Sequence, residues 1–294
     1  MNYKKHLPIF LIGLVSILLN FFLHSVGAFS LIETKLYDFR FKLRGPLNEV
    51  RNENKQDVVI VEIDDESYKL ISESYPYSRG RVWSKVVKNL SEAGAKVIVF
   101  DIMFDAPDHT SKMLENYLTK DCIDCSFIDG DGVFVNSINS AKSAGTSVVL
   151  ASKIAYDANR IPYDYIINPT SKIMKSNVDI GLVNQEADLV DHVIKRYPLF
   201  YKLSTEPDNL YLSLAVQSVL SYKNISERTI KQDVRNNMFI INDIKIKTFK
   251  KEASFLINYY GPKSSIFNTF KRYSLYEVID TEEYDLSNLD EDDN

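Results

Sequence analysis

From Leu7 to Phe29 the chain is apolar almost without interruption, broken only by small or weakly polar residues, and no stretch of that kind recurs later. At about 1.5 Å rise per residue such a run is long enough to cross a hydrocarbon core roughly 30 Å thick. Lys4 and Lys5 precede it. With the amino terminus they favour keeping this end in the cytoplasm, which puts residues from about 30 onward on the outer face. Val26-Gly27-Ala28 offers small residues to a signal peptidase, but the run exceeds the roughly 7 to 15 apolar residues of a cleaved signal. A retained transmembrane helix is the expectation, with Asn20 and His24 near its outer end facing interfacial water.

Beyond this helix the pattern changes to short apolar runs separated by amphipathic segments. Val58-Val59-Ile60-Val61-Glu62-Ile63 is nearly continuous and β-branched, as expected of a strand covered on both faces. After the turn-rich Tyr75-Pro76-Tyr77-Ser78-Arg79-Gly80, the residues Trp83, Val86, Val87 and Leu90 recur at helical spacing, and Gly94 stands where a left-handed cap would end the helix. Lys96 to Phe100 reads as a second strand. A second helix is predicted over 132–144, with Phe134, Ile138 and Ala141 inward and Gly145 as its stop, and Ser147 to Ala151 as a third strand. Strand and helix alternating in this order predict a parallel sheet with right-handed crossovers.

The second half is less regular. Ile180 to Val183 and Arg196 to Phe200 read as strands, Leu210 to Ser221 as an apolar helix, and Met238 to Ile241 with Ile244 to Ile246 as a hairpin turned by Asn242-Asp243. Ser254 to Tyr260 gives one more strand, ended by Gly261-Pro262. Residues 281–294 hold seven acidic groups and no basic one, a solvated linker rather than a binding site. The expected fold is therefore α/β: a mixed, largely parallel sheet with helices on both faces, preceded by one N-terminal transmembrane helix. The expected organisation is an anchor at 1–30, an exported domain at 31–280 and an acidic linker at 281–294, with the natural protein continuing beyond.

Composition narrows the partners. A net charge of −5 and a pI near 5.5 argue against nucleic acid, which needs a concentrated basic surface. The 18 tyrosines and 16 phenylalanines fit a half-buried sheet surface as readily as a ligand cage. Cys122 and Cys125 form a C-x-x-C in an acidic loop, where a small disulfide in an exported domain is the simplest reading. A redox pair would need the motif to open a helix after a strand, and zinc would need two more ligands.

Several segments in order resemble the CHASE2 domain, an extracytoplasmic sensory module of bacterial transmembrane receptors. They are Tyr37-Asp38-Phe39-Arg40-Phe41-Lys42-Leu43-Arg44-Gly45, Val61-Glu62-Ile63-Asp64-Asp65-Glu66-Ser67, Tyr75-Pro76-Tyr77-Ser78-Arg79, and the stretch Leu90 to Phe104. Gly181-Leu182-Val183-Asn184, Arg196-Tyr197-Pro198-Leu199 and Leu256 to Pro262 continue the match, so the resemblance runs from about residue 31 to 280. Tyr75, Tyr77 and Val82 stand where that family usually has tryptophans and a histidine. The resemblance implies a sensor without catalysis of its own, in the inner membrane and single-pass in this chain, with residues 30–294 on the periplasmic side. It implies an unknown small-molecule or protein signal, a homodimer as receptors of this kind signal, and an output module such as a cyclase or kinase that these 294 residues do not contain.

The candidate chemistry is a carboxylate set. Asp64 and Asp65 follow one strand and Asp101 and Asp105 lie near the end of the next, at the edge where open α/β sheets bind ligands. Asp64, Asp65 and Asp101 offer oxygen ligands to a divalent cation, or would shift one another's pKa for acid/base work; capping of the following helices is the plainer reading. No cofactor is otherwise implied. Arg79, fixed after a proline turn, is either a clamp for an acidic ligand or the partner of Asp64 or Asp101 in a salt bridge. Asp38, Arg40 and Arg44 follow the membrane directly, as a solvated helix or as the coupling between anchor and sensor. Only His109 and His192 fall in the exported domain, and G-x-S-x-G, H-E-x-x-H and the P-loop pattern are absent. Asp129-Gly130-Asp131-Gly132 is too short for an EF-hand and reads as a turn before a helix. A metal-dependent hydrolase using these carboxylates and a structural envelope protein stay open as alternatives.

Overall fold

The computed structural model describes residues 3–47, 58–113, 129–157, 161–185, 187, 192–226, 230–233, 235–248, 253–267 and 269–279. The chain divides into two compact units, one of Met1–Asp57, Ala187–Lys195 and Asn258–Phe270, the other of Val58–Glu186, Arg196–Ile257 and Lys271–Asn294.

In the first unit, α1 (Tyr3–Ser25) is 23 residues long, so it spans about 35 Å at the rise of an α-helix. Its segment Pro8–Ser25 is long and apolar enough to cross a membrane, and none of it is covered by the rest of the chain. After a turn at Gly27 comes α2 (Ala28–Arg44), ended by Gly45.

The second unit is mixed α/β. Its strands are β1 (Val59–Glu62), β2 (Val97–Met103), β3 (Ser147–Asp157), β4 (Ile161–Ile167), β5 (Asp179–Leu182) and β6 (Arg196–Pro198). They continue with β7 (Phe200–Leu203), β8 (Glu206–Leu212), β9 (Ile230–Asp233), β10 (Met238–Ile241), β11 (Ile244–Lys247), β12 (Ser254–Leu256) and β13 (Lys271–Ser274). Its helices are α3 (Asp65–Leu70), α4 (Ser84–Glu92), α5 (Gly130–Ser143), α6 (Ser171–Met174), α7 (Leu214–Lys223) and, after the short α8 (Ser264–Phe267) of the first unit, α9 (Leu275–Ile279).

The expectation of a largely parallel sheet is corrected here. Among the described residues, β2–β3, β3–β5 and β1–β13 pair in parallel, and the other five pairings are antiparallel. The reason is local: β3 is 11 residues long and runs past its parallel partners, leaving Lys153 to Asp157 to fold back on β4 as a hairpin. β1 is also not the buried central strand that its β-branched run predicts. Val59 and Ile60 are exposed, and among the described residues the strand pairs only with β13, with Glu62 and Arg272 as an ion pair.

Where the first half alternates, the predicted elements are present. Phe134, Ile138 and Ala141 are buried as foreseen, and Gly94 and Gly145 take positive φ of 86° and 92° after α4 and α5. Ala95 N–H reaches Leu90 O at 3.0 Å, the bond of a Schellman cap. One core joins the helix faces to Ile98, Phe100, Val148 and Leu150 of β2 and β3. A second core gathers Leu199, Phe200, Leu212, Val216, Leu220, Phe239 and Ile241, with the Phe200 and Phe239 rings stacked 5.4 Å apart. The second half departs from expectation at three places. Leu210 to Leu212 belong to β8, whose Tyr211 and Leu212 pair with Tyr201 and Phe200 of β7, and the helix starts only at Leu214. Residues 196–200 split at Leu199, whose neighbours pair with different strands. The strand predicted over 254–260 is β12 and stops at Leu256. In the first unit, the peptide groups that would continue it are taken up instead: Leu47 N–H donates to Tyr260 O at 2.7 Å and Arg44 to Tyr259 O.

Candidate functional site

Two polar nodes lie past the carboxyl ends of β1 and β2. In the first, Asp64 is the N-cap of α3. One carboxylate oxygen accepts from Ser67 N–H at 2.8 Å, from Ser67 Oγ at 2.7 Å and from Ser274 Oγ at 2.6 Å. Ser274 is in turn the cap of α9, its N–H donating to Glu277 at 2.7 Å as in a capping box. Tyr77, buried, donates its hydroxyl to Ser67 O at 3.1 Å. Partial burial pushes the Asp64 carboxyl up, but the hydrogen bonds from Ser274 and Ser67 outweigh it and hold the group below the usual carboxylate range.

The second node is charged and buried. Arg79, two residues after Tyr77, pairs with Asp131 in the first turn of α5 and donates to Ala106 O, while its guanidinium lies 5.1 Å from the centre of the Phe104 ring. Its backbone N–H donates to Asp108 Oδ1 at 2.8 Å. The other oxygen of Asp108 accepts from Ser111 N–H at 2.9 Å and Ser111 Oγ at 2.6 Å, and Gly130 N–H donates to Ser111 Oγ at 2.8 Å. Gly130 has to be glycine, because a Cβ there would come within 2.6 Å of Asp108. Asp129, the N-cap of α5, is held below the usual carboxylate range by its hydrogen bond from Lys172.

Arg79 is therefore paired, but with Asp131 rather than with Asp64 or Asp101, because the loop after β2 and the start of α5 reach it first. The remaining candidates are spread along the surface. Asp65 is exposed in the first turn of α3, Asp101 is exposed within β2 in alternation with the buried Phe100, and Asp105 is exposed in the loop that Arg79 holds through Ala106. Among the described residues, no three His, Cys, Asp or Glu side chains gather as a cation site. Cys122 and Cys125 lie outside the described residues. Sequence reasoning missed Asp108, Ser111 and the role of Asp131. The available signal was the pattern Asp108-x-x-Ser111, a helix start by its spacing.

The first unit carries a third polar cluster. Along α2, Asp38 faces Lys195 at 3.7 Å, Phe41 meets the Tyr259 ring edge-on at 5.6 Å, and Arg44 donates to Asn258 and to Tyr259 O. Tyr259 donates its hydroxyl to Ile194 O. Burial raises the Tyr37 and Tyr259 hydroxyls above their ordinary pKa, with Asp38 adding to it. Arg40 is exposed.

These features define an α/β domain preceded by one apolar helix, with the buried charges Arg79, Asp108 and Asp131 holding its loops. The CHASE2 domain model matches residues 12–293, and the chain belongs to the CHASE2 family, a family of extracytoplasmic sensory, non-catalytic domains. Neither a curated protein nor a solved structure matches the chain.

Proposed function

We propose that the chain is an inner-membrane sensor, anchored once through α1 with its domain on the periplasmic side, that reports a ligand or envelope condition to an output module. The supporting observation is the combination of CHASE2 membership with a helix whose 18-residue segment Pro8–Ser25 is apolar and left uncovered by the rest of the chain. Any small ligand would enter at the exposed carboxylates Asp65, Asp101 and Asp105, beside the Asp64 and Arg79 nodes. The loop of residues 75–81 serves as the receiver, because Tyr77 reaches one node and Arg79 the other.

The test is thermal unfolding of residues 30 to 294 with and without millimolar Mg²⁺, Ca²⁺ and a panel of small metabolites. Binding to the native state alone adds RT ln(1 + [L]/Kd), about 2.7 kcal/mol at a hundredfold excess over Kd. A shift abolished by Asp101→Asn supports a site at the strand ends. A shift with divalent cations alone favours metal-dependent hydrolysis instead. No shift with any of them rejects a small-molecule site at these carboxylates.

A further inference from the structure

The three-stranded sheet β9–β10–β11 has two faces of opposite character. Inward, Phe239 and Ile241 are buried in the second core, with Ile230, Ile244 and Ile246 packed against it. Outward, the register sets Lys231 and Lys245 on either side of Ile240, and Asp233 and Lys247 on either side of Met238. At about 4.8 Å between strands the two lysines of the first row stand about 10 Å apart, and Lys247 lies about 7 Å along β11 from Lys245. All three lysines are exposed, and Met238 and Ile240 are half-buried between them. Arg235 is exposed in the turn from β9 to β10 and Asp243 in the turn from β10 to β11. Among the described residues no ion pair involves the three lysines. Asp233, the one acid on the face itself, accepts from Asn236 N–H at 3.1 Å and from the Asn236 side-chain amide at 2.7 Å, which holds it in the β9–β10 turn.

We infer that this outward face is a contact surface for anionic phospholipid headgroups. Lysines on edge strands keep those edges from pairing with other chains, but that task is indifferent to the residue between them. A sheet that balanced its own charges would set an acid opposite each lysine. Here the residue between Lys231 and Lys245 is Ile240, so two ammonium groups share an apolar floor and the sheet supplies them no counter-charge. Point charges spread over about 10 Å, with no guanidinium fork among the six side chains of the face, suit a plane of many headgroups better than one phosphate ion. Met238 and Ile240 between them suit the boundary of headgroups and acyl chains. The chain's net charge of −5 repels a polyanion in solution, whereas a membrane anchor keeps the domain beside a bilayer whatever that net charge is. Tethering also raises the effective concentration of headgroups at a face too small to hold a membrane alone. The inference thus rests on the reading of α1 as a retained anchor.

The experiment places the full chain in lipid nanodiscs of phosphatidylcholine, with or without phosphatidylglycerol, and follows lysine acetylation residue by residue by mass spectrometry. Lys88 and Lys175, exposed elsewhere on the α/β unit, are the internal references. Acetylation of Lys231, Lys245 and Lys247 is expected to be several-fold slower with phosphatidylglycerol at about 50 mM salt and to recover at about 500 mM, with the references unchanged. In Lys231→Glu/Lys245→Glu, an exposed-face variant, Lys247 is expected to react at the same rate in both discs. Equal rates at the three lysines in the two discs overturn the inference. So does equal slowing at Lys88 and Lys175, which reads a general attraction of the chain to anionic lipid, and so does unchanged protection of Lys247 in the double variant. Slowing produced equally by millimolar inorganic phosphate in phosphatidylcholine discs overturns it in favour of a soluble anion, and three lysines already slow in phosphatidylcholine overturn it in favour of a cover supplied by the chain itself. Co-elution with the discs reads the anchor separately. A chain that elutes apart refutes retention of α1 and the inference with it, whereas a chain that co-elutes without the footprint refutes the inference alone.

Discussion

The two nodes past β1 and β2 occupy similar places in the fold and are built on opposite principles. Asp64 is half-buried and surrounded by hydroxyls and backbone N–H donors. Arg79 and Asp131 form an ion pair whose side chains are only 8 % and 10 % exposed, backed by an aromatic ring and a second carboxylate on the backbone. A neutral donor shell around one acid tolerates the loss of a member, because water replaces it. A buried charge pair does not, because removing one partner leaves the other uncompensated in a low-dielectric site.

That contrast is broken most directly at Arg79. Arg79→Met is expected to cost about 3–5 kcal/mol in urea unfolding, by stranding the Asp131 carboxylate. The pair Arg79→Met/Asp131→Leu should cost less than Arg79→Met alone; if it costs more, the node contributes something other than paired charge. Asp108→Ala is next, at about 2 kcal/mol, since it orphans the Arg79 and Ser111 N–H groups in a buried site. Asp64→Ala should lose only about 1 kcal/mol, the usual value of an N-cap.

The pH dependence sharpens the same comparison. The folded Asp64 carboxyl lies below its unfolded value of about 3.9, so its contribution is complete above that pH and disappears as the pH falls through the folded pKa. Acid titration of stability should therefore show a shallower low-pH limb in Asp64→Asn than in the parent. Smallest of all, Lys172→Ala should change stability by no more than about 0.5 kcal/mol, because the Lys172–Asp129 pair is half exposed.

The first half of the fold was legible because its signals are local. Helix spacing at Trp83 to Leu90 and at Phe134 to Ala141, with Gly94 and Gly145 as stops, depends on neighbours within a few turns. Pairing is not local: nothing near Val59 announces that its partner is Lys271, or that β3 will outrun β2 and turn back on β4. The same limit applies to the site. Asp64 announced itself by following a β-branched strand, whereas Asp108 and Asp131 matter only because Arg79, 29 and 52 residues away, folds against them.

Among the described residues strand β1 pairs only with β13, so the first of these strands must wait for the last. Some 210 residues separate them, which at 5–20 residues per second of synthesis is roughly 10–40 s of growing chain. Throughout that interval the edge of Val59 to Glu62 is unpaired, and Ser274, which completes the hydroxyl shell of Asp64, has not yet emerged. The Asp64 node therefore assembles only once the chain has reached Ser274: a chain shortened before Lys271 would keep an open strand edge at β1 and an Asp64 carboxylate lacking one of its hydroxyl donors.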